Sequence, residues 1–281
     1  MKTFIFAAVL VVGCTTAFAQ ADIRNVDFNN FTFSPSCAGE DGTAQQKVTV
    51  KNGEFSSEKK MEDYVDHFYF KVYNIIYGDV NGDKKDDAVM LSVCNTGGTG
   101  NFTEGFVYSL KAGKPVLVAR IPGGDRADGG LRAATIENGL IVIEANDEER
   151  SSGACCPEGT ITQKVRVSGD KLLNVGPPVK RDLFPIQKVV FQKGTSGTTL
   201  KLTLPGGEGV RLQLVARAGQ MLSVSTNTDK VTARLLEEDN ANVTDDVSGI
   251  SAKLGKNGTY TVQLTNYEDG PIDVTVNIKI W

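Results

Sequence analysis

The 281-residue chain holds one histidine and one tryptophan, and beyond its first twenty residues it has no apolar run of membrane-spanning length. A single histidine rules out zinc sites built from several imidazoles and leaves a Ser-His-Asp arrangement one candidate, His67. Positive charge is also in short supply. Against 30 Lys and Arg stand 34 Asp and Glu, a net charge of −4. No basic patch offsets this balance, so nucleic acid is not an expected partner. Neither a Gly-x-Ser-x-Gly elbow nor a Gly-Lys-Ser/Thr phosphate loop occurs. The Gly-rich stretch 95–105 lacks the lysine and the following helix that would let it cradle phosphate.

What is present begins with a leader. Lys2 precedes an apolar run, and Ala17-Phe18-Ala19 supplies the small residues of a signal-peptidase site, so residues 1–19 read as a cleaved export signal. Val11-Val12-Gly13-Cys14 offers the alternative of a lipid anchor through Cys14. Either way the expected location is extracytoplasmic, secreted or periplasmic. The four remaining cysteines, Cys37, Cys94, Cys155 and Cys156, are an even count in an exported chain and predict two disulfides. Because a bond between adjacent residues closes a very small ring, the expected pairing ties Cys37 and Cys94 separately to Cys155 and Cys156.

Three prolines within Val175-Gly176-Pro177-Pro178-Val179-Lys180-Arg181-Asp182-Leu183-Phe184-Pro185 mark a linker at 176–186. It separates a β-rich domain, 20–175, from a second domain, 187–281. The second shows clear period-2 patterning: Leu200, Leu202 and Leu204; Val210, Leu212 and Leu214; Ile272, Val274, Val276, Ile278 and Ile280. With further strands predicted at 189–193, 221–226, 231–236, 250–254 and 259–265, it reads as an antiparallel β-sandwich. In the first domain, strands are predicted at 68–77, 87–93, 105–111, 115–121, 132–136, 140–144, 160–167 and 171–175. Asn138-Gly139 favours a type I′ hairpin turn. One short helix is predicted at 57–67. The fold class is therefore all-β in the main.

One motif carries ligand chemistry. Asp79, Asn81, Asp83 and Asp87 stand at positions 1, 3, 5 and 9 of a loop, with Lys85 placed to offer its carbonyl at position 7. Position 12, where an EF-hand needs an acid, is Met90, and strand-like sequence flanks the loop on both sides. The Asp-x-Asx-x-Asx-x-x-x-Asp pattern resembles the calcium loop of FG-GAP repeats, with Lys84 in place of the usual glycine. That resemblance implies Ca²⁺ as a structural brace. The alternative is a solvated acidic hairpin that binds no ion.

Candidates for catalysis are sparse. His67 reads as a partly buried structural residue. Asp147-Glu148-Glu149, Glu104, Asp125 and Asp128 are acids in loops or strands with no partner of opposite role in the sequence. Tyr64, Phe68, Tyr69, Phe70, Tyr73 and Tyr77 read mainly as core.

In the second domain, Ala216-Arg217-Ala218-Gly219-Gln220 and Gly258-Thr259-Tyr260-Thr261-Val262 carry a resemblance to two kinds of exported bacterial sandwich. These are the periplasmic inhibitor of goose-type lysozyme and the pre-peptidase C-terminal domain. The resemblance spans about a third of the chain and implies scaffold roles for Gly219, Gly258, Tyr260 and Val262. Lysozymes are commonly basic, so Glu237-Glu238-Asp239 and Asp245-Asp246 read as an acidic loop region that steers toward one. The sequence thus predicts a non-catalytic binding protein of the bacterial envelope. Its expected partner is a protein or glycan there, a lysozyme-like hydrolase among them. The alternative is a calcium-stiffened, adhesion-type surface protein.

Overall fold

The computed structural model describes residues 22–37, 47–153, 155–246 and 249–281. The expected leader and Cys14 lie outside them. No helix among the described residues is long and apolar enough to cross a membrane.

The chain starts with two 3-10 turns, Ile23–Asn25 and Phe28–Asn30, in which the Asp22 and Asp27 carboxylates accept from the N–H groups of Arg24 and Asn29. A short pair follows, β1 (Thr32–Phe33) and β2 (Val48–Thr49). Five strands then meander: β3 (Glu54–Lys60), β4 (Val65–Gly78), β5 (Asp87–Asn95), β6 (Phe102–Lys111) and β7 (Lys114–Ile121). Next come β8 (Leu131–Glu137), β9 (Leu140–Asn146), β10 (Gly159–Ser168) and β11 (Lys171–Asp182), paired in the order β11-β10-β9-β8. At the β8–β9 turn Asn138 and Gly139 both have positive φ, 52° and 76°, as a type I′ hairpin requires.

Strand β5 is apolar along most of its length because its sheet is covered on both sides. On one side Phe33 of the N-terminal segment stacks within 5.6 Å of Phe70 and 5.4 Å of Phe106. On the other side Val89, Leu91, Val107 and Ile121 meet Ile141, Ile143 and Val165 of the β8–β11 sheet.

The second half contains β12 (Ile186–Lys188), β13 (Gly197–Leu204), β14 (Gly209–Ala216), β15 (Met221–Thr226), β16 (Val231–Leu235), β17 (Ala241–Asp246), β18 (Gly249–Leu254), β19 (Gly258–Asn266) and β20 (Ile272–Ile280). They form two sheets, β12-β14-β19-β16 and β13-β20-β15-β18-β17. The alternating apolar residues of both sheets, Leu212, Leu214, Val262, Val276 and Ile278 among them, fill one core. All pairings here are antiparallel except that of β12 with β14.

Several expectations change. Residues 57–67 form no helix. They are the end of β3, a turn closed by Met61 N–H donating to the Tyr64 carbonyl at 2.8 Å, and the start of β4. Their Glu-Lys-Lys run sits on an edge strand, where charge discourages pairing with another chain. His67 is consequently exposed on β4, with Nδ1 3.4 Å from Glu58. The segment 176–186 is not a free linker, because it remains strand to Asp182. Pro177 and Pro178 fit because β11 is an edge strand and its pairing with β10 is irregular opposite Gln163. Residues 189–193 lie outside any strand.

The disulfides pair otherwise than expected: Cys37 with Cys94, and Cys155 with Cys156. The separation of elements explains this. Cys94 packs with Cys37 on the face of β5 covered by the N-terminal segment. Cys155 and Cys156 lie in the β9–β10 connection, which belongs to the sheet on the opposite face.

Candidate functional site

The acidic loop joins β4 to β5, and its acceptors form a ladder of side-chain turns. Asp79 Oδ1 and Oδ2 accept from the N–H groups of Gly82 and Lys84 at 2.6 and 2.9 Å. Asn81 Oδ1 accepts from Asp83 N–H, and Asp83 Oδ1 from Lys85 N–H, both at 2.9 Å. Lys84 takes the left-handed φ of 65° that a glycine commonly supplies at this position.

Asp87 plays a different part. Buried at the start of β5, it accepts from the Ser109 hydroxyl at 2.5 Å, from Asn81 Nδ2 at 3.0 Å and from Val80 N–H at 3.0 Å. Burial pushes its carboxyl above the ordinary range, while the Ser109 and Val80 bonds pull it back. Asp86 reaches outward to Arg24 at 2.6 Å, whose guanidinium lies 5.1 Å from the Tyr77 ring centre. The loop is thereby stitched to the N-terminal segment, beside an open pocket of about 320 Å³. Among the described residues, no three Asp, Glu, His or Cys side chains converge closely enough to hold a metal ion. The residues form a ladder of Asx turns but, as placed, no metal cage.

Of the acids considered for catalysis, Glu104, Asp125, Asp147 and Glu149 are committed to partners, while Asp128 and Glu148 are exposed. Glu104 accepts from Ser36 N–H and Oγ and pairs with Arg120 at 3.0 Å. Burial pushes Asp125 up, but Asn101 N–H and Arg126 outweigh it and hold the carboxyl below its usual range. Asp147 is buried 3.2 Å from Lys180 Nζ, and the same lysine holds Glu149 at 2.6 Å.

An ionic joint ties the two halves together. Arg181, at the end of β11, makes a two-pronged contact with the buried Glu208 at 2.6 and 2.8 Å and also reaches Glu144 at 3.1 Å. Arg132 lies 3.3 Å from Glu144. Arg211 of β14 grips Glu158 at 2.9 and 3.3 Å, with Phe184 stacked against its guanidinium. Backbone bonds run alongside, from Gly209 N–H to the Leu183 carbonyl and from Arg211 N–H to the Pro185 carbonyl, each 3.0 Å. Ion pairs over such sequence separations carry no local pattern, so no motif announced them.

In the second half the two segments that carry the sequence resemblance touch. Gly219, φ 85°, turns β14 into β15, and Ala218 N–H donates to Asn257 Oδ1 at 2.9 Å, just ahead of β19. The Tyr260 hydroxyl closes on the Lys256 carbonyl at 2.8 Å. The acids expected as one loop region are instead split. Glu237–Asp239 precede β17, whereas Asp245 and Asp246 end it, a strand length away of about 17 Å. Asp229, in the β15–β16 turn, and Glu268 and Asp269, in the β19–β20 turn, are exposed at the end of the sandwich where β17 finishes. Tyr267 stands among them, 75% exposed.

No family model matches the chain, and no curated protein does. Among solved structures, the chain is similar to PliG of Aeromonas hydrophila, a periplasmic lysozyme inhibitor of g-type lysozyme. That likeness has 18% identity and a TM-score of 0.31, and covers 35% of this chain and 97% of the other. PliG of Salmonella Typhimurium gives 17% identity and a TM-score of 0.29 over 34% and 98%. An exo-beta-1,3-galactanase from Phanerochaete chrysosporium gives 10% identity and a TM-score of 0.18 over 84% and 70%.

Proposed function

We propose that the protein is an exported, non-catalytic binding protein of the bacterial envelope whose second half inhibits a lysozyme-like hydrolase. The observation that carries this reading is the acidic end of the sandwich. There Asp229, Glu268 and Asp269 surround the exposed Tyr267. An exposed anionic turn with an aromatic beside it suits a basic enzyme, because charge steers the encounter and a tyrosine provides contact area at low entropic cost. The segments around Ala218 and Asn257, where the sequence resembles lysozyme inhibitors, lie at the other end of the sandwich and read as scaffold. The commitment of Asp147, Glu208 and Glu104 to ion pairs supports a non-catalytic role.

Turbidity assays of a goose-type lysozyme on peptidoglycan, with and without the full chain, test this. Inhibition that weakens with added salt and is lost in the double variant Glu268→Lys/Asp269→Lys is the expected result. Undiminished lysis at excess chain rejects the reading.

A second proposal is that Ca²⁺ braces the loop from Asp79 to Asp87 in a display-type surface protein. The ladder of Asx turns and the left-handed Lys84 favour it. It requires Asp79, Asp83 and Asp87 to draw closer together than they stand. Melting in excess calcium and in EDTA decides it, since identical midpoints leave no place for the ion.

A further inference from the structure

Strand β20 alternates strictly. Val274, Val276, Ile278 and Ile280 enter the core, and Thr275, Asn277, Lys279 and Trp281 face outward across their sheet. Register then assembles a surface. Gly197 lies opposite Lys279, and Thr199 opposite Asn277. Trp281 exchanges both backbone hydrogen bonds with Met221, whose other neighbour is Lys253. Lys279 and Trp281 are therefore about 7 Å apart along one strand, with Lys253 two strands away in the tryptophan's row.

A shallow groove of about 470 Å³ lies at the β13–β20 edge of this face, lined in part by Gln192, Gly197, Thr199, Asn277 and Lys279. Gly197 keeps it open, since a Cβ there would sit 3.0 Å from the Ile278 carbonyl and 3.3 Å from Lys279 Cγ. The Thr199 hydroxyl donates to Asn277 Oδ1 at 2.8 Å, which turns that amide's donors to other use. Trp281 is 60% exposed. Charge on the face runs against that of the chain. Lys201, Lys253 and Lys279 share it with Asp273, which already accepts from the Thr203 hydroxyl at 2.6 Å, and with Asp246 at an outward register position on the far edge strand.

An amide donor and a hydroxyl acceptor in a shallow groove, an exposed indole beside it and ammonium groups on the same face together match one ligand chemistry. A sugar ring offers an apolar C–H face to the indole, hydroxyls to Thr199 and Asn277, and, where it carries carboxylates, anions to the lysines. We propose that this outer face binds a carboxylated polysaccharide. The site stands apart from the inhibitor reading, because the strand ends that display Trp281 are opposite those that display Glu268 and Asp269.

Trp281 is the only tryptophan, so its fluorescence reports this site alone. The full chain is titrated with an oligogalacturonate, with a neutral oligoglucoside of equal length, and with polyphosphate. The expected result is a saturable change with the carboxylated probe and roughly tenfold weaker binding of the other two. By calorimetry, Trp281→Ala and Lys279→Gln each lose roughly tenfold or more in affinity, while Trp281→Phe stays within about threefold. Both side chains face outward, and unchanged melting confirms that the variants fold. Silence toward all three probes overturns the proposal. So does equal binding of polyphosphate, which marks an unspecific polyanion surface, or full affinity in Lys279→Gln. Lysozyme inhibition measured on Lys279→Gln separates the two readings, for it is unchanged if each site stands by itself.

Discussion

Asp87 fixes the loop between β4 and β5 by accepting three hydrogen bonds in a buried position. Its replacement by alanine leaves Ser109 and the Val80 N–H without a partner away from water, at a cost of about 2–3 kcal/mol in chemical denaturation. Asp87→Asn retains one acceptor oxygen and is expected to fall between. Lys84 shows the opposite economy. It occupies a left-handed conformation that suits glycine better, so Lys84→Gly is expected to raise stability by about 0.5–1 kcal/mol in the same experiment. Both residues stood out in the sequence because oxygen ligands at alternating positions are a local pattern. What the spacing did not convey is that the loop's acceptors would serve its own backbone.

The two disulfides belong to the scale of elements, and they differ in what they enclose. Cys37–Cys94 spans 57 residues and clamps the N-terminal segment onto β5. Replacing both residues by serine is expected to cost about 4 kcal/mol in the chain-entropy account. Cys155–Cys156 encloses no intervening residue, so the matching double serine variant is expected to melt with the parent chain. Thermal melts of the two variants side by side check both outcomes. Most strands were legible because one wet face and one dry face leave a period of two, as in Leu212 and Leu214 or Val274 to Ile280. Where the sequence misled, pairing overrode local preference. The run from Glu58 to Lys60 has helical composition yet lies along a sheet edge, and Pro177-Pro178 reads as a break yet occupies an irregular edge strand. The candidate site was less legible than the fold. Its acidic segments are near neighbours in sequence, but β17 carries them to opposite ends of the sandwich.

At the scale of the whole molecule, the halves meet through Arg181, Glu208, Glu158 and Arg211. Truncating Arg181 to alanine strips the buried Glu208 of its two-pronged partner and is expected to cost roughly 2–3 kcal/mol, with Arg132 close enough to soften the loss. The joint also predicts a pH dependence. The hydrogen bond from Arg211 holds the Glu158 carboxyl below its ordinary value of 4.5. A depressed carboxylate stabilises the folded state above its unfolded value and loses that contribution as pH falls through the folded one. Calorimetry should therefore show the melting temperature declining below about pH 4.5, with a shallower decline in Glu158→Gln. The connection itself sets a further condition. Leu183 and Pro185, two of the three residues between β11 and β12, are both bonded to β14, so this crossing offers no slack to swing through. Two ligands held at once, one on each half, would have to match a spacing the protein dictates, in the manner of a ruler rather than a tether.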